Sequence, residues 1–467
     1  MSNPVDLTIT EALAAMRAGS LSCSDYVEAH IDRSECCAEL NAYVSHDWNA
    51  LRDAAKAVDE SGRAGEGLSG VPLVLKDNID TRTLTTSAGT GALNDHIAGR
   101  NAPVADALFS NGALLGAKGN MHELAFGITS NNAVTGPARN PYNAKMIPGG
   151  SSGGVATAVS ARMMPGGIGT DTGASVRLPA ALCGIVGFRP TVGRYRGDGI
   201  VPISHTRDTA GPITRNVQDA RLLDAAMRNQ KPAETIADLR GLRIGIPRPH
   251  FYDNLDPGVA TVADRTIEEL GKAGVALIEV DIPDIAALND AVGFPVALYE
   301  FKVDLAKYLA DHGLTYTLED IYQGIGSADV KAVFGSQLGD DAIPETVYRQ
   351  VMDVARPQLR RAYADCFAQY DVPAILFPTA PLAARPIGDD ETVELNGERV
   401  PTFPTFIRNT DPASNAAIPG ISLPAGITAD RLPVGMELDG PEGSDDTLLA
   451  IAQAVETVIG FNAAPEF

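Results

Sequence analysis

The 467 residues of the chain are 45% hydrophobic and carry a formal net charge of −22. That hydrophobic fraction can build a sizeable core, whereas the acidic balance would repel phosphate backbones and anionic lipid, so neither nucleic acid nor a membrane is expected as a partner. The N-terminus lacks the basic and apolar segments of a signal peptide, and no apolar run approaches the ~18 residues of a membrane helix, so we expect a soluble cytoplasmic protein.

The N-terminal segment, residues 1–65, has the pattern of a series of helices. Thr8 and Glu11 form a capping box that begins the first helix. A later helix is predicted over residues 50–61, and Gly62 can end it, because glycine adopts the left-handed backbone common after a helix.

Residues 66–230 are predicted to hold the centre of the fold. Residues 70–80 predict a strand that ends in a polar turn, and residues 104–117 predict a helix followed by a short strand. Residues 120–150 are rich in Asn, Gly and Pro and predict a long ordered loop, a kind of segment that often carries function. Residues 165–173 predict a short buried strand and turn.

Two segments follow, an α/β and helical segment over residues 231–370 and a segment with core strands over residues 371–467. The strands predicted in them occupy residues 242–247, 276–283, 374–381 and 432–440. No linker or repeat divides the chain. We therefore predict one large α/β domain with a central sheet and helices on both of its faces.

Residues 148–184 place Ser151, Ser152 and Ser175 close to glycines, and the stretch contains no histidine. A nucleophilic serine needs a base beside it. The G-x-S-x-G pattern around Ser151 or Ser152 is that of a nucleophile elbow. Such an elbow requires a β-strand before it, and Pro148 makes the preceding segment a poor strand. An α/β-hydrolase has its catalytic histidine near the C-terminus, and the histidines downstream of these serines lie far from it. An α/β-hydrolase is therefore disfavoured.

Other common site chemistries have little support in the sequence. No lysine follows the glycine run as a phosphate-binding loop requires, and the seven histidines form no metal-ligand pair, so neither a cofactor nor a metal is expected. Lys76 remains as a base, because it ends the apolar run VPLVL and a buried lysine can be neutral near pH 7. From the residues alone, a solvated strand cap is the favoured alternative for Lys76.

Three segments resemble the amidase signature family. They are GVPLVLKDNID, PGGSSGG and GTDTGASVRLPAALCGIVGFRPT, and both their spacing and the C-terminal segments extend the resemblance over nearly the whole chain. The resemblance implies the amidase signature fold, with a mixed β-sheet in one domain of residues 1–467. It also implies a Ser–cis-Ser–Lys triad, with Ser175 as nucleophile, Ser151 as bridging serine and Lys76 as the ultimate base.

The same resemblance implies further roles around the triad. The implied oxyanion hole consists of the backbone N–H groups of Thr172, Gly173, Ala174 and Ser175. The implied supporting residues are Gly150, whose peptide bond to Ser151 should be cis, Ser152, Asp171 and Arg177. For Arg177, a purely structural ion pair stays open. Ala174 replaces a glycine that many members of the family have, so the turn must adopt a conformation that alanine tolerates.

Longer segments, among them GNMHELAFGITSNN and GIVPISHTRDTAGPI, resemble a narrower group of amidases that act on indole-3-acetamide, with those acting on mandelamide close to it. This implies that indole-3-acetamide and water give indole-3-acetate and ammonia. Mandelamide or another small amide, a glutamyl-tRNA amidotransferase-type subunit, and a non-catalytic binding protein are the alternatives. A small amide is the expected partner, and a homodimer is left open.

An aryl substrate requires an apolar pocket. The residues predicted to line it are Ala125, Phe126, Gly127, Phe294 and Tyr299. For each aromatic residue, a place in the core is the alternative.

Overall fold

The computed structural model describes residues 3–236 and 238–466 of the chain. The strands in these ranges are β1 (Tyr43–His46), β2 (Pro72–Lys76), β3 (Leu114–Gly119), β4 (Gly166–Asp171), β5 (Val186–Arg189), β6 (Thr209–Thr214), β7 (Arg243–Pro247), β8 (Ala276–Val280), β9 (Ile375–Pro378), β10 (Thr392–Leu395), β11 (Glu398–Pro401), β12 (Gly420–Ile427) and β13 (Pro433–Asp439).

The α-helices of the same ranges are α1 (Ile9–Arg17), α2 (Cys23–Cys36), α3 (Trp48–Ser61), α4 (Pro103–Ser110), α5 (Gly153–Ser160), α6 (Arg177–Leu182), α7 (Val217–Met227), α8 (Arg248–Phe251), α9 (Pro257–Lys272), α10 (Ile285–Asp311), α11 (Leu318–Gly324), α12 (Ala328–Ser336), α13 (Glu345–Gln350), α14 (Arg356–Tyr370), α15 (Thr402–Ile407), α16 (Asp411–Ala416) and α17 (Asp445–Ile459). Short 3-10 helices lie at Pro4–Asp6, Ala38–Leu40, Gly91–Leu93 and Glu123–Ala125, and a π-helix at Val351–Ala355.

Eleven of the described strands form one mixed sheet in the order β1-β3-β2-β4-β6-β5-β12-β13-β9-β7-β8. Strand β2 is parallel to β3 and β4, and β7 is parallel to β8 and β9. The pairing of β5 with β12 is antiparallel and joins the first half of the chain to the last strands. The mixed sheet confirms the predicted fold, and β10 and β11 form a separate hairpin.

Both faces of the sheet are covered by helices, as β2 shows. Successive strand residues point to opposite faces. Val74 packs in a buried cluster with residues of α2, α3 and α5. Leu73 and Leu75 pack instead with residues of α1, α4 and α7. Among the described residues, every helix is too short or too polar to cross a membrane.

The local signals placed the N-terminal helices correctly. Thr8 and Glu11 exchange both hydrogen bonds of a capping box at the start of α1, and Gly62, with φ +69°, ends α3. Residues 120–150 form the predicted loop, interrupted by one short 3-10 helix. The division of the chain into four segments stays a prediction.

Several strands were not predicted. Strand β1 lies in the segment expected to be helical, and its four residues are too few to show an alternating pattern. Strands β6 and β12 contain Gly and Pro, which are typical of loops, yet both are central. Their neighbours on both sides supply the pairing that the local sequence does not indicate.

We predict that Ile421→Ala lowers the free energy of unfolding by about 2–5 kcal/mol, because it leaves a cavity in the core. Ile421 lies in β12 and is fully buried. Ile97→Ala is the matched control, since that side chain is 52% exposed. Denaturant unfolding measures both variants. Equal losses would contradict the position of β12 at the centre of the sheet.

Candidate active site

The end of β2 and the start of α5 bring Lys76 and Ser151 together. The Lys76 Nζ lies 2.7 Å from the Ser151 Oγ and 2.8 Å from the Thr170 Oγ1. Both Lys76 and Ser151 are fully buried. Lys76 follows Val74 by two positions in β2, so both point to the sheet face that α5 covers. This alternation explains how the lysine reaches the serine.

The peptide bond between Gly150 and Ser151 is cis, as the family resemblance implies. The Ser151 carbonyl accepts a hydrogen bond from the His122 N–H at 3.1 Å. A Cβ atom on Gly150 would lie 2.7 Å from the Ser130 Oγ, and one on Gly153 would overlap the same oxygen. Glycine is therefore required at both positions for the 120–150 loop to pack against this turn.

Burial lowers the pKa of the Lys76 side chain from 10.5 to about 7, against the attraction of the Asp171 and Asp208 carboxylates, which raises it. A charged ammonium is poorly solvated inside the protein, so the neutral amine is favoured. A sizeable fraction of Lys76 is therefore neutral near pH 7, and a neutral amine can accept a proton.

Ser152 holds the segment of Ser151 against the sheet. Its N–H donates to the Ser175 carbonyl at 3.3 Å, and its Oγ donates to the Thr170 carbonyl at 3.2 Å. The Thr170 N–H donates back to the same Oγ at 3.3 Å. Ser152 thus fixes the positions of Ser151 and Ser175 relative to each other.

Ser175 lies in the turn between β4 and α6 and lines a cavity together with Thr172, Gly173 and Ala174. Across the described residues, the Gly173, Ala174 and Ser175 N–H groups make no hydrogen bond to another backbone group. Ala174 stays out of the left-handed backbone region, so the turn has the alanine-compatible conformation that the sequence requires. The turn can therefore present free N–H groups to a ligand oxygen.

Buried charges hold this turn in place. The Asp171 carboxylate lies 3.1 Å from both the Arg177 Nε and the Arg189 Nη1, and the Arg177 Nη1 lies 2.5 Å from Glu437. Arg177 also donates to the Gly173 carbonyl at 3.0 Å. Burial would raise the pKa of Asp171, but the two arginines hold it well below its usual range. Arg177 thus forms the structural ion pair that the sequence analysis kept as an alternative to substrate contact.

The cavity beside Ser175 has a volume of about 270 Å³ and a mainly apolar lining. Four residues predicted for an aryl pocket, Ala125, Phe126, Gly127 and Phe294, line it. Further apolar lining residues are Ile128, Ile203, Ala297, Leu298, Val333, Phe403, Pro404 and Ile407. The space next to the serine therefore suits an apolar group.

Tyr299 lies outside this cavity, which corrects the sequence-based expectation. Its ring stacks on that of Tyr348, with centroids 4.2 Å apart and an angle of 14° between the planes. Phe294 and Leu298 lie one turn apart on α10 and face the cavity. Tyr299 follows Leu298 directly and so points about 100° further around the helix.

Sequence reasoning also missed polar residues around the site. Arg207 pairs with Asp411 at 2.5 Å, and both line the cavity. Asp208 accepts a hydrogen bond from the Thr172 Oγ1 at 2.6 Å. His122 and Asp329 form a second polar pair on the lining, 3.0 Å apart. Only the general resemblance of the segments that contain Arg207, Asp208 and His122 could have drawn attention to them.

The sequence profile of the family described as Amidase matches residues 25–449. The chain belongs to this amidase family. The amidase, a hydrolase that acts on amide bonds, is 50% identical to an indoleacetamide hydrolase of Agrobacterium vitis over 98% of both chains. It is 39% identical to a mandelamide hydrolase of Pseudomonas putida over 98% of this chain and 93% of that protein. It is also similar to a crystal structure of an amidase, with a TM-score of 0.86 and 32% identity over 97% of this chain and 99% of that one.

We predict that Asp171→Asn destabilises the amidase by about 3–5 kcal/mol, because it leaves two buried guanidinium groups without their shared carboxylate. Asp238→Asn is the matched control, since Asp238 pairs with Arg240 at the exposed surface. Thermal unfolding should show a large drop in Tm for the first variant and little change for the second. Equal Tm values would contradict a structural role for Asp171.

Proposed function

We propose that the amidase hydrolyses indole-3-acetamide to indole-3-acetate and ammonia through an acyl-enzyme on Ser175. The observation that carries this proposal is the position of Ser175 on an apolar cavity, beside the contact of 2.7 Å between Lys76 and Ser151. The identity of 50% to an indoleacetamide hydrolase supports the substrate.

In the proposed first half-reaction, neutral Lys76 accepts the proton of Ser151, and Ser151 accepts that of Ser175. The Ser175 Oγ attacks the amide carbonyl carbon. The backbone N–H groups from Thr172 to Ser175 stabilise the negative oxygen that forms. Ser151 then returns a proton to the nitrogen, so that the C–N bond breaks and ammonia leaves.

In the second half-reaction, water attacks the acyl-enzyme, and the same relay accepts its proton. The C–O bond to Ser175 breaks, and the relay returns the proton to the serine oxygen. The product leaves as the carboxylic acid, which loses its remaining proton to solvent and becomes the carboxylate. Lys76 is neutral again at the end of the cycle. Each half-reaction uses the relay once in each direction, which is why a base with a pKa near neutrality suits both.

Aromatic contacts around the cavity support an aryl substrate. The rings of Phe126 and Phe301 meet edge to face, with centroids 5.1 Å apart. The rings of Phe294 and Phe403 are 5.9 Å apart, and both side chains line the cavity. Such side chains offer large apolar surfaces to a flat ring.

Mandelamide and other small amides are the alternative substrates. A kinetic panel of indole-3-acetamide, mandelamide, phenylacetamide and malonamate ranks them by kcat/KM.

We propose that the chain is a self-sufficient enzyme of the cytoplasm rather than an amidotransferase subunit. A homodimer is the assembly to test. Ammonia release by the isolated chain supports this choice, and release that requires a partner subunit contradicts it.

We predict that Ser175→Ala lowers kcat/KM for indole-3-acetamide by roughly a thousandfold or more, because the nucleophile is lost. The variant should keep the Tm of the wild type, since only a hydroxyl group is removed. Ser110→Ala is the matched control, because Ser110 is exposed at the end of α4. Retained activity in a folded Ser175→Ala protein would refute the assignment.

We predict that kcat/KM rises with pH, with a midpoint at the pKa of Lys76, which is about 7. Protonated Lys76 cannot accept a proton, so activity should be low below this pH and level above it. A flat profile between pH 5 and 9 would contradict a lysine base. Asp208→Asn should move the midpoint to lower pH, because it removes a carboxylate whose charge raises the pKa of Lys76.

A further inference from the structure

Asp329 places a carboxylate on the mainly apolar lining of the cavity. It is the second residue of α12, and Val333, one turn further along the helix, lines the same cavity. The Asp329 side chain is 41% exposed, and its Oδ2 lies 3.0 Å from the His122 Nε2. The carboxylate is therefore both fixed and accessible from the space beside Ser175.

Two other carboxylates, those of Asp390 and Asp411, line the cavity, but their bonding is different. Each has side-chain donors on both of its oxygens. Within the described ranges, His122 is the one side chain that hydrogen-bonds to Asp329. A carboxylate can accept about four hydrogen bonds. Of the three, Asp329 alone thus has an oxygen, its Oδ1, to which no described side chain donates, and this oxygen can accept from a ligand.

The surroundings of His122 fix the position and charge of Asp329. His122 is buried, and Gly127 packs so closely on its ring that a Cβ atom there would overlap it. Burial would raise the pKa of the Asp329 carboxyl, but the hydrogen bond from His122 and the backbone N–H groups at the start of α12 lower it. The group is therefore ionised at neutral pH and acts only as an acceptor.

We propose that Asp329 accepts a hydrogen bond from the ring N–H of the substrate, so that the cavity selects indolyl acetamides over aryl acetamides of the same shape without a donor. This inference rests on the proposed function, since it assigns how the ring of indole-3-acetamide is recognised. A ring N–H that leaves water for an apolar cavity requires an acceptor there. An ionised carboxylate gives a stronger hydrogen bond than a neutral acceptor. The aromatic lining residues, by contrast, recognise only the shape of the ring.

The test compares kcat/KM for indole-3-acetamide and benzofuran-3-acetamide, in which an oxygen replaces the ring N–H. The wild type should prefer the indole by about tenfold or more, because the ring oxygen of the analogue offers the carboxylate no hydrogen-bond donor. In Asp329→Leu the ratio should fall to about one or below, since the indole N–H then finds no acceptor and the benzofuran oxygen needs none. In Asp329→Asn, which keeps an uncharged acceptor, the ratio should be intermediate.

Val333→Ala is the matched control, because it changes the same helix and the same cavity without removing an acceptor. It should lower both rates together and leave the ratio at the wild-type value. The ratio does not depend on the fraction of folded enzyme, so a poorly folding variant still reports on selectivity. If Asp329→Leu does not fold at all, Asp329→Ala makes the same comparison.

Two failures are distinguishable. A wild-type preference that is unchanged in Asp329→Leu, or a wild type with no preference, would overturn the role of Asp329 and leave the proposed function intact. Hydrolysis of phenylacetamide without hydrolysis of indole-3-acetamide would instead refute the proposed function, and this inference with it.

Discussion

The burial of Lys76 beside Ser151 is the constraint on which the rest of the site depends. A lysine in water is charged and cannot serve as a base, so the protein must keep its amine away from solvent. The position of β2 between β3 and β4 does this, because both faces of that strand are covered by helices. The polar contacts of Nζ among the described residues are with Ser151 and Thr170, both uncharged.

The charges around the lysine are arranged to preserve this state. A carboxylate in direct contact with Nζ would stabilise the ammonium and remove its basicity. Asp171 is near enough to raise the pKa of Lys76, but its own oxygens are bonded to Arg177 and Arg189. The two arginines thus restrain a buried carboxylate and at the same time hold the turn that carries Ser175. One network serves both the electrostatics and the geometry of the site.

The sequence predicted most where the cause is local. Helix ends in the first segment depend on capping residues a few positions apart, and these predictions were correct. The burial of Lys76 depends on strands and helices far along the chain, so the residues alone favoured a solvated cap. Family resemblance supplied the triad, and the roles of its members stay a prediction. The prediction for Tyr299 was wrong because residue type alone does not show which face of a helix an aromatic side chain occupies.

The pair of His122 and Asp329 shows a further limit, since its two residues are 207 positions apart. It also shows that the residues proposed for the chemistry and those proposed for substrate choice belong to different elements. The groups proposed for the chemistry lie at the end of β2, in the turn before α5 and in the turn after β4, while α10, α12 and the 120–150 loop supply much of the remaining cavity wall. Substitutions in that wall can change which ring is accepted without moving Lys76 or Ser175. Substrate choice can therefore change while the sheet and the buried lysine of this chain stay the same.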